Sequence, residues 1–278
     1  MVNHDLAEDL RRAGLRPGAT VLAHCSLHEV GWLPDGPATL RRALQRVLTP
    51  GGTLVVPTHT AGNSNTSDQY RRATAGKSAA ARAAWEDAIE PFDPDTSPSH
   101  EMGLLAEDVR RHPGTLRSRH PHTSFSALGP RARELTAVHD LDCHLGERSP
   151  VGALYAADAT VLMIGVGYDH CTAFHLAEYR LPTPPRRRAH RCYVRDERGG
   201  RRRVDFLAPH LDDHDFPLLG AAFEGTGVVR AGRVGNARTR LFEIRAAVDF
   251  AVGWMTEHRG RSPGCPDSPA VDIVNLHR

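Results

Sequence analysis

Asp158-Ala-Thr-Val-Leu-Met-Ile-Gly-Val-Gly167 is the stretch on which the fold turns. Its apolar run, Val161 to Ile164, is short and does not alternate, the pattern of a strand buried on both faces. The run ends in Gly165-Val-Gly167. Tyr168-Asp-His-Cys-Thr172 then leads into Ala173-Phe-His-Leu-Ala-Glu-Tyr179, whose spacing is helical with Thr172 placed as N-cap. A buried strand that feeds a helix is the unit of a sheet with helices on its faces.

The same unit recurs upstream. A helix over residues 5–13 and a Gly/Pro turn precede the apolar run Thr20-Val-Leu-Ala-His24, and the small-residue loop 25–31 follows it. Gly36-Pro37 opens an amphipathic helix over 38–48, since proline is tolerated in a first helical turn. Pro50-Gly51-Gly52 then turns the chain into a second strand, Thr53-Leu-Val-Val-Pro57. Strand, helix, strand within about forty residues implies a right-handed parallel crossover. Residues 58–98 are polar, with an Ala-rich helical piece near 79–86, and a long insertion leaving the carboxyl end of a parallel strand reads as a substrate wall. A helix over 102–111, a strand within 118–129 and a helix from Pro130 follow. Segments 189–195 and 202–207 flank Glu197-Arg-Gly-Gly200 as an antiparallel hairpin, within a hairpin and acidic segment spanning 186–215. A helix over 244–255 closes the pattern. The expectation is one α/β domain over residues 1–278, a central mixed sheet with flanking helices and a long polar insertion.

Composition excludes several classes. With 278 residues, 40% of them hydrophobic, the chain can bury a sizeable core. No stretch reaches the roughly 18 apolar residues of a membrane span, and the charged N-terminus is unlike a signal peptide, so a cytoplasmic location without membrane contact is expected. Lys77 is the only lysine among 35 basic residues, against 33 acidic ones. Arg186-Arg187-Arg188 and Arg201-Arg202-Arg203 could grip phosphates, but no recognition helix or aromatic platform accompanies them, so no nucleic-acid partner is assigned. Five scattered cysteines, Cys25, Cys143, Cys171, Cys192 and Cys265, form no CxxC pair and read as reduced thiols. Seventeen histidines raise a metal or acid–base question that composition leaves open.

His175 and Glu178 lie three apart at the carboxyl end of the central strand, on one helical face. An imidazole there can take a proton from an amine or hydroxyl, and the carboxylate can orient it or hold a cation. The bland alternative is a core histidine beside a solvated glutamate. A metal held by His170, His175 and Glu178, with Asp212-Asp213-His214 downstream, lacks the tighter HExxH or paired ExxH patterns, so no metal is assigned. No GxSxG elbow marks a serine nucleophile, Cys25 reads as a bystander thiol, and Gly165-Val-Gly167 is no dinucleotide fingerprint.

Four segments in order resemble the aminoglycoside N3-acetyltransferase family, an antibiotic N-acetyltransferase fold distinct from GNAT enzymes. They are His24-Cys-Ser-Leu-His-Glu-Val-Gly31 with Gly36-Pro37 and Pro50 to Pro57; Phe92-Asp-Pro-Asp-Thr-Ser-Pro98 with Met102-Gly103; Arg117-Ser-Arg-His-Pro-His-Thr-Ser-Phe125; and Ser149-Pro150 with Gly165 to Glu178. The resemblance implies acetyl-CoA as cosubstrate, lying along Ser26, Leu27, His28, Val30 and Gly31 and along Ser118, His120, Ser124 and Phe125. It implies His175 as general base, aided by Glu178, with Thr172 a candidate to stabilise the oxyanion and His144 near the amine. Asp68, Asp93, Glu178 and Asp213 are candidate carboxylates for a polycationic acceptor. The expected reaction is direct acetyl transfer to the 3-amine of an aminoglycoside, by a monomer or homodimer. Two alternatives stand beside it: a same-fold acetyltransferase acting on another amine in antibiotic biosynthesis, and a protein that binds an aminoglycoside or CoA without turnover.

Overall fold

The structure, a computed structural model, describes residues 5–259; Cys265 lies outside the described residues. Nine strands form two sheets: β1 (Thr20–Cys25), β2 (Thr53–Pro57), β3 (Leu116–Arg117), β4 (Phe125–Leu128), β5 (Thr160–Ile164), β6 (Arg187–Arg195), β7 (Arg201–Pro209), β8 (Arg230–Val234) and β9 (Ala237–Glu243). Seven make one mixed sheet in the order β3-β4-β2-β1-β5-β9-β8, and β6 pairs β7 apart from it. The centre is parallel: β1 pairs β2 from Thr20↔Thr53 and β5 from Val21↔Thr160. Both flanks are antiparallel, through β2–β4 and β5–β9.

Alternation along the central strands divides the core in two. Leu22, Val55, Val161 and Met163 face one layer, packed with Phe174, Leu176, Phe216, Phe223 and Val248. Val21, Ala23, Leu54, Val56, Leu162 and Ile164 face the other, packed with Leu10, Leu40, Leu44 and Val109. Helices therefore cover both faces, which explains why β5 shows no polar alternation. Gly220 in the helix Phe216–Glu224 lies against Tyr168, and a β-carbon there would come 2.0 Å from the ring. Gly220→Ala is expected to cost about 1–3 kcal/mol by overpacking, read as a lower urea midpoint.

Several expectations change in detail. Thr172 is not an α-helical N-cap: it opens a 3₁₀ turn, Thr172–Phe174, and the α-helix begins at His175 and runs to Tyr179. The loop after β1 contains a short helix, Leu27–Val30. The strand expected within 118–129 is β4, and the short β3 precedes it across a tight loop. The insertion holds two helices, Asp68–Thr74 and Ala79–Asp87, and it docks on the hairpin. Phe92 N–H donates to Tyr193 O at 2.8 Å, Tyr193 N–H to Asn63 O at 2.9 Å, and Arg191 N–H to Thr66 Oγ1 at 2.9 Å. Insertion and hairpin thus build one shared wall.

Candidate active site

The parallel strands β1, β2 and β5 deliver their carboxyl ends to the same edge of the sheet. β1 continues outward to β2 on one side and lies beside β5 on the other, so the loops after β1 and β5 part across a crevice. A cavity of about 750 Å³ opens there, walled by Ser26, Thr60, Asp68, His122, His144, Thr172, His175, His190 and Asp213 among others. Gly165, at φ +66°, makes the approach possible: a β-carbon there would meet the Glu29 side chain at 2.5 Å, so only glycine lets the loops after β1 and β5 come this close.

His175 sits in the first turn of its helix with its side chain 13% exposed. Its Nδ1 lies 2.6 Å from Glu178 Oε2. A carboxylate only accepts, so Nδ1 carries the proton and Nε2 is left with its lone pair for the cavity. Glu178 has no exposed surface. Its other oxygen accepts from Asp212 N–H at 2.9 Å and from the Arg259 guanidinium at 2.7 Å. Arg259 is gripped in turn by Asp215 at 2.6 and 2.8 Å. The imidazole is thereby aimed by a relay, from Asp215 through Arg259 and Glu178, that the 175–178 spacing alone did not disclose.

The other site candidates divide. Ser26, Asp68, His144, Thr172 and Asp213 line the cavity, and Thr172 Oγ1 lies 3.4 Å from His24 Nε2. Glu178 lies behind His175 rather than on the cavity wall, so the carboxylate-lining role for it is corrected to that of an orienting group. Asp93 is elsewhere: it closes the turn to Asp95 N–H and Ser97 Oγ and faces Arg195 at 3.3 Å. Ser118, His120, Ser124 and Phe125 are fully buried and absent from the wall. Ser118 Oγ accepts from Phe125 N–H, His120 Nδ1 accepts from His122 and Thr123 N–H, and Ser124 Oγ donates to Thr58 O. These four shape the tight loop and offer no side-chain surface to a cofactor. Val30 is likewise packed into the core, whereas Leu27 and Gly31 are half-buried and His28 is exposed beside the crevice.

Residues not anticipated also reach the cavity. Glu101 and Asp169 are exposed carboxylates on its wall, bringing the acidic lining to Asp68, Glu101, Asp169 and Asp213. His59 lines it too, with Nε2 buried and unpartnered.

Burial presses most of the surrounding histidines toward the uncharged form. Desolvation lowers His24, His59 and His122 to about 3, His144 to about 2, and His139 and His190 to about 4, from an ordinary value of 6.5. Below pH 6.5 the unfolded chain therefore binds more protons than the folded one, so stability present above pH 6.5 is lost as pH falls toward 4. Each such histidine can withdraw up to about 1.4 kcal/mol per pH unit. We expect the urea midpoint to drop steeply between pH 6.5 and 5, and a flat profile there would contradict the buried uncharged cluster.

A three-layer α/β fold with a carboxylate-oriented histidine opening on a large polar cavity fits the class of group-transfer enzymes. Residues 22–256 match the family model described as aminoglycoside 3-N-acetyltransferase. Aminoglycoside N(3)-acetyltransferase VII of Streptomyces paromomycinus is 36% identical, over 93% of this chain and 93% of its own. The crystal structure of the YokD protein from Bacillus subtilis superposes with TM-score 0.86 at 32% identity, over 93% of this chain and 94% of that one. AAC-IIIb in binary complex with CoASH superposes with TM-score 0.78 at 30% identity, over 91% and 95%. The chain belongs to the aminoglycoside 3-N-acetyltransferase family and is an acyltransferase.

Proposed function

We propose that the protein transfers acetyl from acetyl-CoA directly to the 3-amine of a deoxystreptamine aminoglycoside, with His175 as general base. The observation that carries this reading is the His175–Glu178 pair opening onto a cavity that also presents four carboxylates. An aminoglycoside amine is largely protonated near neutral pH and cannot attack a thioester. His175 Nε2 takes one proton from the ammonium and releases it to solvent, the free amine nitrogen attacks the thioester carbonyl carbon, Nε2 takes the second proton from the attacking nitrogen, and collapse of the tetrahedral intermediate breaks the C–S bond as that proton passes to sulfur and CoA thiol leaves. Thr172 Oγ1, at the mouth of the 3₁₀ turn, is placed to donate to the oxyanion. Asp68, Glu101, Asp169 and Asp213 concentrate a polycation at the cavity, and Asp68 keeps a low proton affinity through its bond to Arg71.

CoA is assigned to the crevice at Ser26, along the Leu27, His28 and Gly31 surface. The resident-protein alternative, binding without turnover, lacks a reason for an imidazole aimed by a buried carboxylate. The test is thiol release from acetyl-CoA across a panel of aminoglycosides, with NMR of the product. Acetylation at the 3-amine is the expected result; turnover with no amine, or acetylation at another position, overturns the reading.

A further inference from the structure

On the cavity wall away from His175, three histidines converge from three separate segments. His122 comes from the tight loop before β4, His144 from the loop before Ser149, and His190 from β6 of the hairpin. One ring nitrogen from each lies within 4.8 Å of the other two. His144 and His190 are each 5% exposed, and the Nε2 atoms of all three are buried without a hydrogen-bond partner. The rings are held in place: His190 stacks on Phe206 at 5.3 Å, His122 stacks on His144 at 5.7 Å, and His144 and His190 lie 4.7 Å apart.

Three unpartnered imidazole nitrogens are an expensive arrangement unless something completes them, since a buried polar atom without a partner costs about 1–3 kcal/mol. Their shared feature is a lone pair, and three lone pairs converging on one point are met by a cation. From this convergence we infer that His122, His144 and His190 form a binding site for a single divalent transition-metal ion of the zinc class, with its remaining coordination position facing the cavity. Three imidazoles with one open position are a known stoichiometry for such ions. Ideal tetrahedral bonds of about 2.0–2.1 Å place the nitrogens about 3.3 Å apart, so small side-chain rotations from the observed spacing close the site. Arg188 and Arg71 oppose a cation electrostatically, and Asp68, bonded to Arg71, offsets one of these two charges. The bound ion would tie the tight loop, the 143–149 loop and the hairpin together at one point. The site is independent of the acetyl-transfer reading: it uses none of the relay behind His175.

The test uses the full chain stripped with a chelator and titrated with Zn²⁺ by calorimetry, and with Co²⁺ by visible absorption. The expected result is one equivalent bound, a tetrahedral Co²⁺ spectrum, and a melting midpoint raised by several degrees with Zn²⁺. His190→Phe removes a ligand but keeps an aromatic ring against Phe206, and its folding is verified by circular dichroism. It is expected to weaken the stoichiometric site by at least about 100-fold, because even losing a partner behind a ligand costs 10–100-fold. His112→Ala, a partly exposed position at the end of the helix Leu104–Arg111 in a different part of the fold, is expected to bind as wild type. Absence of a one-equivalent site in wild type, or undiminished binding by folded His190→Phe, overturns the inference.

Discussion

Replacing His175 with alanine is expected to lower kcat for acetyl transfer by about 10²–10⁴-fold while leaving acetyl-CoA affinity within about twofold. The expectation rests on position: His175 reaches the cavity by its Nε2, while Nδ1 is committed to Glu178 at 2.6 Å. His100 and His170 on the wall also face carboxylates, Glu101 at 3.5 Å and Asp169 at 3.3 Å, but through Nε2 and toward exposed groups, whereas Glu178 is buried behind Nδ1. His122, His144 and His190 lie among one another and the hairpin, and His24 is buried beside Thr172. Steady-state kinetics separate the effects, and partial restoration of kcat in His175→Ala by added imidazole would identify the lost group as a proton acceptor. Wild-type turnover in a folded His175→Ala protein would remove the base from the mechanism.

Replacing Glu178 with alanine is expected to damage both stability and rate. The side chain is 1% exposed and accepts from His175, Arg259 and Asp212 N–H together. Removing one partner of a buried ion pair costs about 3–5 kcal/mol, and the low end applies because Asp215 still holds Arg259. The freed imidazole loses its fixed tautomer and aim, so kcat should fall by about 10²-fold or more by analogy with other oriented-histidine sites. Glu178→Gln separates the two effects: it preserves volume and one acceptor but places an amide donor where one of the donors now points. It should recover part of the stability and little of the rate. Urea denaturation beside kcat measures both, and an unchanged kcat in Glu178→Ala would show that His175 needs no orienting group.

The parallel centre was legible because its strands are short apolar runs, two of them closed by glycine or proline, as in Thr53 to Pro57 and Thr160 to Gly165. The His175–Glu178 pair was legible for the same kind of reason: a spacing of three survives the replacement of an α-helical start by a 3₁₀ turn. The antiparallel edge was not read, although Gly235-Asn236 between Arg230–Val234 and Ala237–Glu243 is a hairpin turn signal. The first of those strands, Arg230–Val234, buries only Val234 and so carries no apolar alternation to read.

Family resemblance marked the 117–125 segment correctly as special and misplaced its side chains. A motif can be kept for the shape of a turn, and Ser118, His120 and Ser124 spend their polar atoms on that turn. The neighbours His122 and Thr123 reach the cavity wall instead. The histidine cluster and half of the acidic lining escaped for a different reason: His122, His144 and His190 as a group, like Glu101 and Asp169, are gathered from distant segments, and no spacing along the chain announces them.

Arg259 stands 81 residues beyond Glu178 and yet completes the environment of its carboxylate. During synthesis, strands, cavity and His175 all leave the ribosome before the guanidinium that steadies the relay behind them. Under the proposed mechanism the support of the base is completed late: a chain halted before Arg259 carries His175, Glu178 and the cavity wall and lacks the guanidinium that Glu178 accepts from.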